Sequence, residues 1–148
     1  MATLYLDTSA LVKQYVQEIG SKEVQKLIKS AEHSGTSLIT RTEMAAALAR
    51  ATRMTILSLS DAETAWKQFE DEWPALSRFN VSRQIIDRAT ALAWQFPLRG
   101  YDAVHLASAL LWQETLETQI TVATFDRELW AAGKQAGLTV WPEDFSIK

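Results

Sequence analysis

Short apolar runs along the chain alternate with longer segments whose apolar residues recur every three or four positions. The first run, Leu4-Tyr5-Leu6, leads directly into Asp7, and an apolar-periodic segment begins at Ala10. The run predicts a short buried strand, and the period after it predicts a helix. We therefore expect Asp7 to lie where a strand ends and a helix begins. Open α/β folds bind their ligands at that edge of the sheet.

The same alternation continues to the end of the chain. β-Branched and apolar runs predict further strands at 37–40, 79–82, 120–124 and 138–141. Helical periods, capping residues, glycines and prolines predict helices over about 21–35, 41–51, 60–74, 85–96 and 101–115, and a last one from 126 to about 133 or 137. Strands that alternate with helices predict an α/β fold with a largely parallel sheet and helices on both faces. The length of 148 residues predicts a single domain over 1–148.

Composition excludes several classes of site. The chain has no cysteine, so disulfides, zinc–thiolate sites and cysteine nucleophiles are excluded. No run approaches the roughly 20 apolar residues of a membrane helix, and the N-terminus lacks the layout of a signal peptide. We therefore expect no membrane partner and a cytoplasmic protein. Because the net charge is −3, any nucleic acid must be bound by local groups of cations.

Three more carboxylates lie at junctions like that of Asp7. Glu43 is in the first turn after the second predicted strand, Asp102 opens a helix after a glycine turn, and Asp126 follows the 120–124 strand. The carboxyl ends of parallel strands share one edge, where four carboxylates would repel one another. A hard divalent cation removes that repulsion, activates water and neutralises charge on a phosphodiester. The pattern thus predicts a metal site.

Helix capping is the simpler interpretation of each carboxylate taken alone. The run from Thr40 to Glu43 fits a capping box, and Asp102 and Asp126 suit helix N-caps, as does Asp7. A residue at a helix N-terminus can still bind a metal, so the two interpretations are compatible. Recurrence at four strand-to-helix junctions favours a shared site.

Four segments carry these acids in a recognisable order. They are LDTSALVK at 6–13, TEMAAA at 42–47, YDAVHLASA at 101–109 and TFDREL at 124–129. Together they resemble PIN-domain ribonucleases, particularly the VapC-like toxins of toxin–antitoxin pairs. The resemblance implies a PIN-like α/β/α sandwich with about five strands and Mg²⁺- or Mn²⁺-dependent endonuclease activity on RNA. It also implies a homodimer and an antitoxin partner that blocks the acidic pocket.

The resemblance assigns the four acids as the catalytic, metal-binding set. Our hypothesis is that Asp7 and Asp102 hold the metal most directly, while Glu43 orients or deprotonates the attacking water. Asp126 completes the charge or holds a second ion. Water then attacks phosphorus in line and leaves a 3′-hydroxyl and a 5′-phosphate.

Further residues are candidates for supporting roles. Thr8, Ser9 and Thr124 match the hydroxyl neighbours of the family's acidic site, although Ser9 and Thr124 also suit ordinary local hydrogen bonding. His105 lies three residues after Asp102 on the same helix edge, and we expect it to pack or to support the site without binding metal. The candidate RNA contacts, each also interpretable as a solvated surface residue, are Lys13, Arg50, Arg99, Tyr101 and Arg127.

Two other functions remain open from the residues alone. One is a phosphoacceptor or phosphatase domain with Asp7 as nucleophile. Ser9 occupies the position where such a site would place a second aspartate. The other is a PIN-like domain that binds RNA or protein without catalysis.

Overall fold

Five short strands form one sheet in the computed structural model, which describes residues 2–145. The strands are β1 (Thr3–Leu6), β2 (His33–Ser37), β3 (Ser77–Phe79), β4 (Ile120–Ala123) and β5 (Thr139–Trp141). They lie in the order β3-β2-β1-β4-β5, and every adjacent pair is parallel. Parallel neighbours require crossover connections, which helices provide here.

Helices cover both faces of this sheet. Those of residues 2–145 are α1 (Thr8–Leu11), α2 (Ser21–Ser30), α3 (Thr40–Arg53), α4 (Leu59–Glu72), α5 (Arg83–Gln95), α6 (Gly100–Leu116) and α7 (Arg127–Gln135), with 3₁₀ turns at Val12–Gln14 and Trp73–Ala75. The predicted α/β sandwich with a parallel sheet is therefore confirmed. No helix within 2–145 has the length and apolar character needed to cross a membrane.

The central strand β1 supplies side chains to two separate cores. Leu4 and Leu6 pack with apolar residues of α1 to α4, and Tyr5 packs with those of α5 to α7. Side chains alternate between the faces of a strand, so a strand covered on both faces is apolar throughout. This explains why the run at the start of the chain was a clear strand signal.

The second strand lies elsewhere than predicted. The sequence pattern placed a strand at 37–40 and extended the preceding helix to about 35, but α2 ends at Ser30 and β2 is His33–Ser37. The prediction was wrong because β2 is polar, with the sequence HSGTS. Its buried Thr36 is satisfied by donating a hydrogen bond to the Leu6 carbonyl. Gly35 in β2 allows close packing, since a Cβ there would lie 2.9 Å from the Trp112 ring.

Two other boundaries differ for reasons of capping. The strand predicted at 79–82 is β3, Ser77–Phe79, because Ser82 instead caps α5 by accepting a hydrogen bond from the Ile85 amide. The helix predicted to open at 60 begins at Leu59, and Ser58 is its N-cap.

Candidate active site

Asp7 is the N-cap of α1, directly after β1. Its Oδ1 accepts hydrogen bonds from the Ala10 amide (3.0 Å) and the Ser9 hydroxyl (2.7 Å), and its Oδ2 accepts one from the Thr124 hydroxyl (2.7 Å). Only 3% of Asp7 is exposed. Burial raises the pKa of this carboxyl, while the charge of His105 and the surrounding donors oppose the rise. The predicted cap is present, and it holds the carboxylate at the sheet edge.

Glu43 extends from the first turn of α3 toward α1. Its Oε1 accepts a hydrogen bond from the Thr8 hydroxyl (2.6 Å) and lies 2.8 Å from His105 Nε2. Burial alone would raise the pKa of Glu43, but the hydrogen bond and charge of His105, then Thr8 and Arg99, bring it below the ordinary value. Glu43 is therefore ionised at neutral pH. The predicted capping box with Thr40 is wrong, because α3 has no side-chain cap.

His105 connects Glu43 to the centre of the sheet. The imidazole is buried on α6, and its Nδ1 lies 2.7 Å from the Tyr5 hydroxyl oxygen. An ionised carboxylate only accepts hydrogen bonds, so His105 Nε2 carries a hydrogen and donates to Glu43. Burial raises the pKa of Tyr5 well above its ordinary value, so its hydroxyl stays protonated. The three side chains form a continuous hydrogen-bonded row that fixes Glu43.

Asp102 and Asp126 are joined by one guanidinium. Arg99 Nε donates to Asp102 Oδ2 at 3.2 Å, and Arg99 Nη2 donates to Asp126 Oδ2 at 2.7 Å. Asp126 is the N-cap of α7, as predicted, and accepts a hydrogen bond from the Leu129 amide. The prediction of an N-cap at Asp102 is wrong, since Arg99 holds that position of α6. Burial and the charge of Asp126 raise the pKa of Asp102 to about 6, against the effect of Arg99.

Two hydroxyls link the ends of β1 and β4. Thr124 donates to Asp7 and accepts from the Asp126 amide (3.0 Å). Ser9 donates to Asp7 and accepts from the Phe125 amide (2.9 Å). The sequence left two roles open for these hydroxyls, namely support of a carboxylate and hydrogen bonding to the local backbone. Each hydroxyl fulfils both roles.

The prediction that Asp102 lies at a strand-to-helix junction is wrong, because α6 directly follows α5. The structure still brings Asp102 beside the other three carboxylates, at an edge of the sheet that we call the acidic edge.

The acidic edge consists of Asp7, Glu43, Asp102 and Asp126. The charges of Asp126 and Asp7 both raise the pKa of Asp102, so these carboxylates act on one another. Their oxygens are the hard donors that Mg²⁺ and Mn²⁺ prefer. Within 2–145, no group of three or more His, Cys, Asp or Glu side chains stands close enough to hold one ion. Mg²⁺ commonly uses one or two carboxylates and several waters, so the donor set still fits such an ion.

Arg50 does not reach the acidic edge. It lies seven residues after Glu43 on α3, about 10 Å along the helix at roughly 1.5 Å per residue. Its Nε contacts Met54 Sδ at 3.4 Å, toward the far end of the helix. The proposal of Arg50 as an RNA contact stays a prediction, at a position on α3 away from the acidic edge.

The other four candidate RNA contacts lie on one side of the acidic edge, near Arg99 and Asp126. Arg99 bridges two of its carboxylates, and its guanidinium lies 4.9 Å from the ring centre of the partly exposed Tyr101. Lys13, Arg99 and Arg127 line one hollow beside Asp126. Lys13, Arg99 and Arg127 thus form one group of cations beside the acidic edge.

Sequence reasoning missed Tyr5, Phe125 and Phe145. Tyr5 was read as core, yet a buried tyrosine hydroxyl needs a partner, and that requirement was an available signal. Phe125 and Phe145 line the hollow with the three cations. Phe145 lies in a segment without helical or strand periodicity, so no local pattern pointed to it.

Comparison with known proteins agrees with this architecture. The model of the PIN domain family matches residues 4–134, a span that contains all four residues of the acidic edge. The chain belongs to the PIN domain family, which confirms the resemblance drawn from its four segments.

Within that family the relatives are ribonucleases named VapC. The chain is 37% identical over 145 residues to Ribonuclease VapC49 of Mycobacterium tuberculosis (strain ATCC 25618 / H37Rv), with 96% of each chain covered. It is 30% identical over 141 residues to Ribonuclease VapC46 of the same strain, with 95% of this chain and 97% of the relative covered.

Solved structures share the fold at lower identity. FitAcB from Neisseria gonorrhoeae matches with a TM-score of 0.68 at 17% identity, covering 95% of this chain and 97% of the other. A toxin–antitoxin complex from Klebsiella pneumoniae matches with a TM-score of 0.63 at 19% identity, covering 86% and 90%. At these identities the comparison establishes the fold.

Proposed function

We propose that this protein is a metal-dependent endoribonuclease that hydrolyses phosphodiester bonds in RNA. The observation that carries the proposal is the meeting of Asp7, Glu43, Asp102 and Asp126 at one sheet edge. The identity of 37% to a protein named as a ribonuclease supports the same function.

The acidic edge would hold Mg²⁺ or Mn²⁺ through Asp7 and Asp102, with Asp126 and Glu43 completing the negative environment. When bound, the ion supplies Lewis-acid activation of water and offsets charge on the phosphodiester. Asp102 binds a cation only when ionised, and its pKa of about 6 means that it is largely ionised at neutral pH. Arg99, on the exposed side of the pair, has to release at least one carboxylate for this role.

Glu43 is the residue placed to orient the attacking water and accept its proton. It is ionised at neutral pH, and His105 and Thr8 fix its Oε1. A base held in one orientation requires less rearrangement when the proton moves. Because water is the nucleophile, the expected products carry a 3′-hydroxyl and a 5′-phosphate.

We further propose that the protein is the toxin of a toxin–antitoxin pair. The VapC relatives support this role, as does the fold shared with a toxin–antitoxin complex from Klebsiella pneumoniae. The expected partner is an antitoxin protein that covers the acidic edge. A homodimer, a single domain over 1–148 and a location in the cytoplasm complete the proposal.

The direct test compares wild-type protein with Asp7→Asn on single-stranded RNA in Mn²⁺, followed by mapping of the cleaved ends. Wild type should cleave RNA, and the variant should lose most activity while it keeps its fold, since an amide oxygen can still cap α1. Excess EDTA should abolish cleavage. Asp87→Asn, which changes an exposed carboxylate of α5 outside the acidic edge, is the matched control.

Two results would contradict the proposal. Equal cleavage rates for wild type and Asp7→Asn would show that the acidic edge takes no part in the reaction. Cleavage that persists in EDTA and leaves cyclic phosphate ends would point to the 2′-hydroxyl as nucleophile, without a metal.

A further inference from the structure

A hollow of about 570 Å³ opens beside the acidic edge. We call it the lateral hollow. Arg99 and Asp126 belong to both the lateral hollow and the acidic edge, so the two are continuous. Its volume lies within the roughly 300–1,000 Å³ of ligand pockets. Its lining includes Lys13, Arg99, Phe125, Asp126, Arg127 and Phe145.

The charges in the lateral hollow differ from those of the chain as a whole. The chain carries a net charge of −3, yet this hollow has three cations against the carboxylates of Asp126 and Glu128. Cationic side chains next to a negative site suit a polyanion whose backbone runs past the acids.

Among these cations, Arg127 is the one that forms no ion pair with any of residues 2–145, so an incoming anion can reach it. Lys13 Nζ donates to Glu18 Oε1 (2.9 Å) and the Ile19 carbonyl (2.6 Å), and its side chain is largely covered. Arg99 is engaged with the acidic edge. Arg127 is exposed, and within 2–145 it belongs to no ion pair.

Aromatic rings lie next to the cations in the same hollow. The Arg127 guanidinium lies 4.8 Å from the Phe145 ring centre, and Lys13 Nζ lies 4.5 Å from that of Phe125. An edge-on contact with Trp130 at 5.6 Å supports the Phe145 ring. Cations for phosphates and flat rings for bases are the combination with which proteins bind single-stranded nucleic acid.

We propose that the lateral hollow binds one nucleotide of the RNA strand, next to the phosphodiester that is cut. Arg127 contacts the phosphate of this nucleotide, and Phe145 stacks on its base. The inference rests on the proposed ribonuclease function, because Asp126 connects the hollow to the acidic edge. It adds an RNA-binding site built by the β4–α7 junction and the C-terminal segment.

The test measures RNA binding separately from cleavage. An Asp7→Asn background prevents turnover, and fluorescence anisotropy follows a labelled single-stranded RNA over a series of salt concentrations. Arg127→Gln should lower the magnitude of the slope of log affinity against log salt by about 0.7, the value for one phosphate contact on a single strand. Phe145→Leu should weaken binding roughly 5- to 160-fold, the range for one stacked base, and should leave the salt slope unchanged.

Matched controls separate these effects from general charge loss and misfolding. Arg83→Gln removes another exposed arginine, which lies on α5 outside the lateral hollow, and should preserve affinity and slope. Thermal melting of each variant verifies its fold. Arg127 is exposed, so its variant should melt with the parent protein.

The outcomes distinguish a failure of this nucleotide site from a failure of the proposed ribonuclease function. If Arg127→Gln and Phe145→Leu bind RNA like the parent while the wild type still cleaves RNA, the lateral hollow is not a nucleotide site and the ribonuclease proposal survives. If both variants lose binding to the proposed antitoxin but not to RNA, the lateral hollow is a protein-docking site and the proposal is overturned. If the wild type neither cuts nor binds RNA in Mn²⁺, both proposals fail.

Discussion

Replacing Asp102 by asparagine should stabilise the metal-free protein at neutral pH. Burial and the charge of Asp126 raise the pKa of Asp102 from 3.8 to about 6. The unfolded chain therefore ionises this group more easily than the folded one. Ionised Asp102 thus destabilises the fold, and the cost grows as pH rises from about 4 to about 6. Below that window the carboxyl is protonated in both states and the cost is absent.

The size of this effect follows from the shift. About two pKa units correspond to roughly 3 kcal/mol as an upper value, and the side chain is only 6% exposed. An asparagine at this position would keep an oxygen for Arg99 without the buried charge, so we expect Asp102→Asn to gain about 1–3 kcal/mol. For a chain of this length that is an increase of roughly 3–10 °C in Tm.

The assay is thermal melting in EDTA at about pH 7.5, above this window, and at about pH 5, in the middle of it. The advantage of Asp102→Asn should be nearly complete at the higher pH and about half as large at the lower one. Added Mn²⁺ should raise the Tm of wild type more than that of the variant, because the variant has lost a ligand. Asp87→Asn, which alters an exposed carboxylate, should show no such pH dependence. A variant less stable than wild type at pH 7.5, or a difference equal at both pH values, would refute the reasoning.

Two further substitutions test the support of the acidic edge and the packing of the fold. Tyr5→Phe removes the hydroxyl at 2.7 Å from His105 Nδ1; kcat should fall roughly 10-fold with Mn²⁺ affinity nearly unchanged, because an outer partner of the base is lost. A kcat equal to wild type would show that the row of hydrogen bonds is unimportant for turnover. Gly35→Ala would place a Cβ at 2.9 Å from the Trp112 ring and should lower stability by about 1–3 kcal/mol in denaturant unfolding; an unchanged midpoint would show that α6 can move away.

Tyr5→Phe and Gly35→Ala each have a matched control elsewhere in the chain. Tyr15→Phe removes a hydroxyl that donates to Glu72 at 2.9 Å and should leave kcat unaffected. Gly100→Ala adds a Cβ that meets nothing within 4 Å, at the start of α6, and should leave stability unchanged or slightly raised.

Local sequence patterns were enough to predict the layers and most of the acidic edge. The buried runs of β1 and β4 stand out because both faces of a central parallel strand are covered, which makes the whole run apolar. Asp7 and Asp126 directly follow or cap such elements, so their positions at the edge follow from the chain direction alone. The polar strand β2 escaped prediction, because its buried Thr36 is satisfied by donating a hydrogen bond to the carbonyl of Leu6, 30 residues away in the chain.

What the sequence by itself determined is where carboxylates fall relative to strand ends, since that depends only on neighbours in the chain. Tertiary structure alone decided which side chains form hydrogen bonds and ion pairs with these carboxylates. Tyr5 and His105, separated by 100 residues, meet only because α6 packs on β1. Arg99 reaches Asp126, 27 residues away, only because the start of α6 lies beside the end of β4. Side-chain contacts of this kind depend on how the helices pack against the sheet. The periodicity of residues within one helix or strand does not determine that packing.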